Sequence, residues 1–202
     1  MNFDSDYTDS SANHILTTQQ GNVSYEQGRV GSAITFGGHT NPGSITVPFH
    51  EDFQFENEMT VSYWVKINDP RGYDGNGALV SEGIHNVLHG QRTNTQIFTE
   101  YDRVSFYFNS AAGGLHTPEI KEGEWYLVTS VVSKQSVSTF INGELAGSRA
   151  LASPVNLSTT QGFRIGRQTD NWYPLNGSLD DLRIYNRALN EAEVRALYEL
   201  GE

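Results

Sequence analysis

Short segments in which apolar and polar residues alternate follow one another along most of the chain. In residues 59–67, MTVSYWVKI, the odd positions from Val61 to Ile67 are apolar or aromatic and face one way, and the even positions from Thr60 to Lys66 face the other. Alternation with a period of two is typical of a half-buried β-strand. The same reasoning predicts eleven strands: Ala33–Phe36, Ser44–Val47, Met59–Ile67, Ala78–Ser81, Thr95–Thr99, Val104–Asn109, Trp125–Val132, Ser136–Ile141, Glu144–Ser148, Phe163–Ile165 and Leu179–Tyr185.

Two local signals predict how these strands are joined and how the chain ends. Asn142-Gly143 lies between two predicted strands, and this dipeptide tolerates positive φ at both central positions of a type I′ hairpin turn. Near the C-terminus, Asn190 and Glu193 have the spacing of a helical capping box, with Leu189 and Val194 placed as a hydrophobic staple. A short helix therefore follows the last strand, and Gly201 is expected to end it.

Many short strands separated by Gly, Asn, Asp and Pro predict an all-β antiparallel sandwich. We find no internal repeat or low-complexity linker, so residues 1–202 are interpreted as one domain. The N-terminal sequence MNFDSDYTDSSANH has no charged n-region or apolar h-region, so it does not resemble a signal peptide. We interpret the chain as a domain of a longer protein.

Charge and composition narrow the function classes. The chain carries 13 basic and 24 acidic residues, a formal net charge of −11, with no basic run. This sign disfavours binding to nucleic acid or to an anionic membrane surface. The chain has no cysteine, which excludes disulfides, thiolate metal sites and a cysteine nucleophile.

The predicted last strand begins with two adjacent aspartates. Continuing the alternation of Leu182 and Ile184 backwards places Asp180 on their face, towards the core, and Asp181 on the face of Arg183. Burying an ionised carboxylate is costly unless it is paired or liganded. Asp180 is therefore expected to have a partner.

Five segments, in order, resemble the laminin G-like, or concanavalin A-like, jelly-roll lectin/glucanase superfamily. They are GRVGSAITF (28–36), MTVSYWVKI (59–67), EGEWYLVTSVV (122–132), STFINGELAG (138–147) and GSLDDLRIYNRALNEAEVRALY (177–198). The resemblance covers essentially the whole chain. It implies two stacked antiparallel sheets, one concave and one convex, with a short C-terminal helix.

The resemblance also implies a structural calcium ion on the convex side. Carried over by position, its ligands would be Asp180 with Asp181 beside it, an N-terminal carboxylate from Asp4 or Asp6, and a backbone carbonyl of Gly37 or Gly38. Calcium takes six to eight oxygen ligands in flexible geometry, which suits such a set. The alternative is that Asp180 accepts backbone N–H bonds from a turn while Asp181 pairs with Arg183 or Arg195.

Catalysis is not expected. Hydrolases of this fold carry the pattern Glu-x-Asp-x-x-Glu on one strand, and no segment of this chain matches it. The sequence also lacks the GxSxG and GxxxxGK[ST] motifs. We therefore predict that the chain is not an enzyme.

Three loops contain the residue types that bind sugars, which are a flat aromatic ring and planar polar side chains. Loop 168–176 contributes Asp170, Asn171, Trp172 and Tyr173; loop 68–77 contributes Arg71, Tyr73 and Asp74; loop 83–94 contributes His85. The alternative for Trp172 is that it folds back over the sheet edge. Trp64 and Trp125 lie in predicted strands and are expected to be structural.

Together these features predict a non-catalytic, calcium-stabilised, carbohydrate-binding or adhesion module of a secreted or cell-surface protein. Its expected partner is a glycan or polysaccharide. A protein-binding domain or structural spacer is the alternative, since laminin G-like domains also serve in protein adhesion, and a polysaccharide-degrading enzyme is a third possibility. Fold alone does not choose among them.

Overall fold

The structure is a computed structural model that describes most of the chain. The described residues are 1–68, 72–73, 79–80, 84–90, 96–100, 103–107, 115–155, 157, 162–167 and 174–201. Within them are sixteen strands, a 3-10 turn at Glu51–Phe53 and one α-helix, α1, at Glu191–Leu200. The strands are β1 (Thr18–Gly21), β2 (Val23–Gln27), β3 (Ser32–Gly37), β4 (Gly43–Val47), β5 (Met59–Ile67), β6 (Gly72–Tyr73), β7 (Leu79–Val80), β8 (Ile84–Gly90), β9 (Gln96–Glu100), β10 (Arg103–Tyr107), β11 (Leu115–Glu119), β12 (Trp125–Val132), β13 (Ser136–Ile141), β14 (Glu144–Ala150), β15 (Phe163–Ile165) and β16 (Asn176–Tyr185).

Two seven-stranded antiparallel sheets and a two-stranded ribbon account for these strands. Sheet A has the order β1-β4-β15-β8-β9-β10-β11, and sheet B has the order β14-β13-β12-β5-β16-β3-β2. Strands β6 and β7 form the ribbon. Half of the neighbouring pairs in these two described sheets, six of twelve, join strands that are not consecutive in the chain, so the sandwich depends on long-range pairing. The predicted all-β sandwich is confirmed.

The main core lies between the two sheets. Sheet B contributes the odd-numbered residues of β5 from Val61 to Ile67, all buried, as the alternation predicted. Sheet A contributes Ile45 from β4 and Phe163 from β15, and Phe163 packs edge-on against Phe53 with 5.0 Å between ring centroids. Burial of such side chains is the main favourable contribution to folding.

Strand β5 is also buried on its outer face, which alternation alone did not predict. Thr60, Ser62 and Trp64 are almost inaccessible to solvent. Helix α1 covers this side of sheet B: Trp64 lies 5.7 Å from Tyr198 between ring centroids, and Val194 joins a second apolar cluster with strands β12 and β13. The structural role predicted for Trp64 is therefore confirmed.

The local turn and cap signals are confirmed in detail. Asn142 and Gly143 have φ values of +51° and +79° between β13 and β14. The Asn190 side chain accepts the backbone N–H of Glu193, and the Glu193 side chain accepts the backbone N–H of Asn190. These reciprocal bonds pair two of the N–H groups that the first turn of a helix leaves open.

Strand prediction was correct for the apolar strands and incomplete for the polar ones. Four predicted strands have the observed ends: β5, β12, β13 and β15. The sequence analysis missed β1 and β2, whose residues TQQG and VSYEQ are largely exposed and show no apolar face. It also missed β6, β8 and β11.

No helix in the described part of the chain is long and apolar enough to cross a membrane.

Candidate functional site

The two aspartates lie at a β-bulge in β16, and the bulge corrects the face that the sequence predicted for Asp180. Leu179 and Leu182 both face the core although three positions separate them, because one extra residue is inserted where the register with β5 shifts. The inserted region includes Asp181, whose φ is +47°. Asp180 pairs directly with Trp64 and therefore shares its outer face. The prediction that Asp180 faces the core with Leu182 was wrong because strict alternation fails across a bulge.

Asp180 is nevertheless completely buried, with 0% exposure. The turn between β2 and β3 lies over it: the Arg29 guanidinium is 5.1 Å from the centroid of the Trp64 ring, and a Cβ added at Gly28 would lie 2.5 Å from Asp180 Oδ2. Glycine at position 28 is what permits this close approach.

Only one oxygen of the Asp180 carboxylate has a partner among the described residues. Oδ2 accepts the backbone N–H of Val30 at 2.8 Å, whereas Oδ1 is buried without a hydrogen-bond partner in the described part of the chain. Burial raises the pKa of Asp180 to about 6, against the opposing effect of backbone N–H groups of Val30 and Arg29. Such an orphaned buried oxygen calls for a proton or a cation.

Asp4 reaches the same turn from the N-terminal segment. Its Oδ1 accepts the backbone N–H of Ser32 at 2.9 Å and packs against Gly31, whose φ is +69°. Thus Asp4 and Asp180 bond to backbone groups only two residues apart, at Ser32 and Val30. The sequence analysis named both carboxylates but did not recognise that the turn 28–32 brings them together.

The other predicted metal ligands have different environments. Asp6 is exposed and accepts the backbone and side-chain donors of Thr8. Asp181 forms a two-pronged ion pair with Arg183, with N–O distances of 2.9 and 2.7 Å, which is the pairing that the alternative interpretation expected.

Gly38 lies at the far end of strand β3. Gly37, just before it, pairs with Asn176, four residues before Asp180 in β16, so Gly38 is roughly 13 Å or more from the aspartate at the usual rise per residue. Gly38 instead packs against Asn176. The structure therefore does not bring the Gly38 carbonyl to the Asp180 carboxylate.

A calcium ion beside Asp180 would need oxygen ligands from the backbone of the turn 28–32 as well as from the carboxylates. No group of three or more His, Cys, Asp or Glu side chains suited to a metal ion occurs among the described residues. A hard cation beside Asp180 would take the orphaned Oδ1, and backbone carbonyls and water would complete its shell, as calcium accepts.

Most residues predicted to bind a sugar cannot be compared with the structure. Arg71, Asp74, Asp170, Asn171, Trp172 and Tyr173 lie outside the described residues. Tyr73 belongs to strand β6 and His85 to strand β8, but their side chains also lie outside the described part. Their proposed roles stay predictions.

A cleft that the sequence analysis did not anticipate lies on the other side of the bulge. Its volume is about 610 Å³, and the N-terminal segment, the end of β16 and strands β4 and β15 enclose it. Asp181 and Arg183 form part of its wall. No periodic signal marks it, because it joins residues from both ends of the chain.

Comparison with known proteins agrees with this architecture. The sequence profile of the concanavalin A-like lectin/glucanases superfamily (Laminin_G_3) matches residues 39–195. No curated protein matches the sequence.

Several solved structures share the fold. The binding domain of Paraclostridial Mosquitocidal Protein 1 superposes with a TM-score of 0.76 at 19% identity, covering 98% of this chain and 50% of that one. The binding domain of botulinum neurotoxin DC, in complex with rat synaptotagmin II, gives 0.75 at 14% identity, covering 100% and 50%. The chain thus spans about half the length of these toxin domains.

A third structure matches this chain over nearly its whole length. It is domain 4 of AbnA, a GH43 extracellular arabinanase from Geobacillus stearothermophilus, in complex with arabinotriose. It gives a TM-score of 0.74 at 24% identity and covers 98% of this chain and 95% of that one.

Proposed function

Since the chain belongs to the concanavalin A-like lectin/glucanases superfamily, we propose that it is a non-catalytic carbohydrate-binding module of a secreted or cell-surface protein. The observation that carries this proposal is the match, over almost the full length of both chains, to a domain of an extracellular arabinanase that holds arabinotriose. Such a module works by presenting a fixed recognition surface on a rigid β scaffold. Weak affinity at one site is raised when the parent protein carries several modules.

The absence of catalysis is part of this proposal. It is supported by the lack of a Glu-x-Asp-x-x-Glu strand in the sequence. Glycoside hydrolysis needs two carboxyl groups facing one another across the scissile bond, at roughly 5–9.5 Å.

We further propose a structural calcium ion at the turn 28–32. Asp180 would hold it through Oδ1, with Asp4 and backbone carbonyls of the turn nearby. The ion would supply the counter-charge that the buried carboxylate lacks and would tie the N-terminal segment to sheet B. Its role is stability, not chemistry on a substrate.

We assign recognition of the glycan to the loop that carries Asp170, Asn171, Trp172 and Tyr173. The loops that carry Arg71, Tyr73 and Asp74, and His85, contribute further residues of the same chemical types. An aromatic ring stacks on the apolar face of a sugar, and amide and carboxylate groups fix its hydroxyls. This assignment follows from residue chemistry alone.

The test is a broad glycan array probed with this domain in millimolar calcium, with parallel lanes containing EDTA. A discrete set of glycans is expected to bind, and Trp172→Ala is expected to abolish at least one class of them. Tyr25→Ala is the matched control, because Tyr25 is an exposed aromatic residue on edge strand β2. If Trp172→Ala protein still binds every glycan that the parent binds, loop 168–176 is not the binding site.

A blank array with folded protein would contradict the carbohydrate proposal. The second candidate is then a protein-binding or spacer domain. It is favoured by the neighbouring toxin structure that was solved with a protein, synaptotagmin II.

A further inference from the structure

The cleft beside the bulge arises where strand β16 loses one of its neighbours. Strand β3 pairs with β16 only from Asn176 to Leu179, whereas β5 follows β16 as far as Tyr185. Beyond the bulge, no described strand occupies the edge that β3 has left. The N-terminal segment crosses there instead, and the Leu182 carbonyl accepts the Met1 amino group at 2.8 Å.

The floor of the cleft is apolar and comes from both sheets. At about 610 Å³ the cleft lies within the range of roughly 300–1,000 Å³ that small-molecule sites occupy. The floor residues are Val47, Phe53, Phe55, Ile165, Leu182 and Ile184.

The wall carries a fixed donor next to a fixed acceptor. Arg183 donates to both oxygens of Asp181, at 2.9 and 2.7 Å, and its guanidinium also interacts with the side chain of Tyr185. All three side chains are only partly buried. A carboxylate and a guanidinium held side by side match two neighbouring sugar hydroxyls, since one hydroxyl donates to the carboxylate and the other accepts from the guanidinium. The Tyr185 ring packs against the outer apolar cluster beneath helix α1, and it holds Arg183 from that side.

The N-terminal segment and the 3-10 turn add further groups that bond hydroxyls. Asn13 donates to Asp52, and Asp9 accepts the backbone N–H groups of Ser11 and Ile15, so these side chains are held in place. Planar amide and carboxylate groups set around an apolar floor are the usual composition of a site for a polar ligand with apolar faces.

Charge decides which sugars fit. Three carboxylates, those of Asp9, Asp52 and Asp181, line the cleft with two cations, the Arg183 guanidinium and the Met1 amino group, which leaves a formal net charge of −1. The formal net charge of the whole chain is also negative, at −11. A sialylated, sulfated or uronic-acid ligand would therefore be repelled, whereas a neutral oligosaccharide meets no such penalty.

We propose that this cleft is a second carbohydrate site, separate from the predicted loop site, and that it binds a neutral oligosaccharide. The inference rests on the proposed carbohydrate-binding function. Within the cleft the Asp181–Arg183 pair orients the sugar, and the apolar lining takes its less polar face.

The test blocks the cleft without removing any of the groups to which sugar contact is assigned. Ser10 is an exposed rim residue whose side-chain bond is to exposed Asn2, so Ser10→Trp adds bulk at the mouth. Titration calorimetry on the full chain would use the neutral glycans that Trp172→Ala protein still binds on the array. Adding Ser10→Trp is expected to weaken their binding at least tenfold. Ser153→Trp, at an exposed serine outside the cleft, is the control and is expected to change nothing.

A charge comparison uses lactose and 3′-sialyllactose, or the neutral and sialylated forms of whichever hit is strongest. The neutral form is expected to bind the cleft at least tenfold more tightly in the Trp172→Ala background. Equal binding of both forms, unchanged binding in Ser10→Trp protein, or loss of every hit in Trp172→Ala protein would each overturn the cleft assignment while leaving the carbohydrate function intact. A parent protein that binds no glycan at all would overturn both. Thermal melting of each variant confirms that it is folded.

Discussion

Asp180 shows how one residue links the local sequence to the stability of the domain. Its carboxylate is buried against Trp64 and the turn 28–32, with one oxygen bonded and the other without a described partner. The cost of burial raises its pKa to about 6. If a cation binds the second oxygen, it offsets the cost of burying the charge. If nothing does, the folded protein favours the protonated acid below about pH 6.

The calcium proposal predicts a melting difference that Asp180→Asn removes. At pH 7.5, calcium at about 100 times its Kd stabilises a folded protein by about 2.7 kcal/mol, which corresponds to roughly 5–10 °C in Tm for a domain of this size. We expect calorimetry to show that shift between calcium and EDTA in the parent protein, and no shift in Asp180→Asn. Asp6→Asn is the control and should keep the shift, because Asp6 bonds to Thr8 and not to the turn. If the Tm of the parent protein is the same in calcium and in EDTA, the proposal of a structural calcium ion is wrong.

The pH dependence of the Tm, measured in EDTA, provides a second test of the role of Asp180. A carboxyl whose folded pKa is raised stabilises the fold below its unfolded pKa of 3.8, and this contribution is lost as the pH rises through about 6. The parent should therefore lose Tm relative to Asp180→Asn across that window. With saturating calcium the sign reverses, because the ion binds the ionised form.

At the scale of elements, helix α1 matters because it covers strand β5. Its capping box places the first turn, Val194 enters the outer apolar cluster, and Gly201 lies against Trp64. A Cβ at Gly201 would be 2.7 Å from Trp64 Nε1, so glycine is required here by close approach and not by a left-handed backbone, since its φ is −99°.

Removing the cap tests this dependence. Asn190→Ala should cost about 1 kcal/mol and lower Tm by about 2–4 °C, because the Glu193 N–H loses its acceptor. Urea denaturation followed by the combined fluorescence of the three tryptophans, Trp64 among them, measures the loss of stability. Glu199→Ala, at an exposed position of the same helix, should leave the midpoint almost unchanged. Equal effects in both variants would show that the cap does not hold the helix on the sheet.

At the scale of the whole molecule, aromatic packing contributes to the core that the two sheets share. Phe163 of sheet A contacts Phe53 and lies 6.3 Å from Phe55 between ring centroids. Phe53 and Phe55 lie two residues apart in the segment between β4 and β5, whereas Phe163 belongs to β15, so the contact forms only when these distant parts of the chain meet.

A cavity at this contact should destabilise the entire domain. Phe163→Ala is expected to cost about 3–5 kcal/mol, since a buried ring is lost and the rigid surroundings cannot fill the space. Phe49→Ala provides the comparison, because Phe49 is 44% exposed and surface changes usually stay within about 0.5 kcal/mol. Equilibrium urea unfolding measures both. A cost for Phe163→Ala as small as that for Phe49→Ala would mean that the sheets are held together elsewhere.

The sequence by itself determined the features whose signal is local. The period-two alternation of β5, the Asn142-Gly143 turn and the Asn190 cap were all identified correctly, because each depends on the chemistry of neighbouring residues. The exposed strands β1 and β2 were missed for the same reason, since they form by pairing with partners and have no apolar face of their own.

Only the tertiary structure decided which side of the sheet Asp180 faces and what surrounds it. A single inserted residue at Asp181 reverses the alternation, and period-two reasoning cannot locate a bulge from composition. Likewise, Asp4 meets the turn 28–32, and the cleft joins the N-terminal segment to the end of β16, because folding brings the two ends of the chain together. Contacts between residues up to 181 positions apart depend on sheet order and register, which no local pattern in the sequence records.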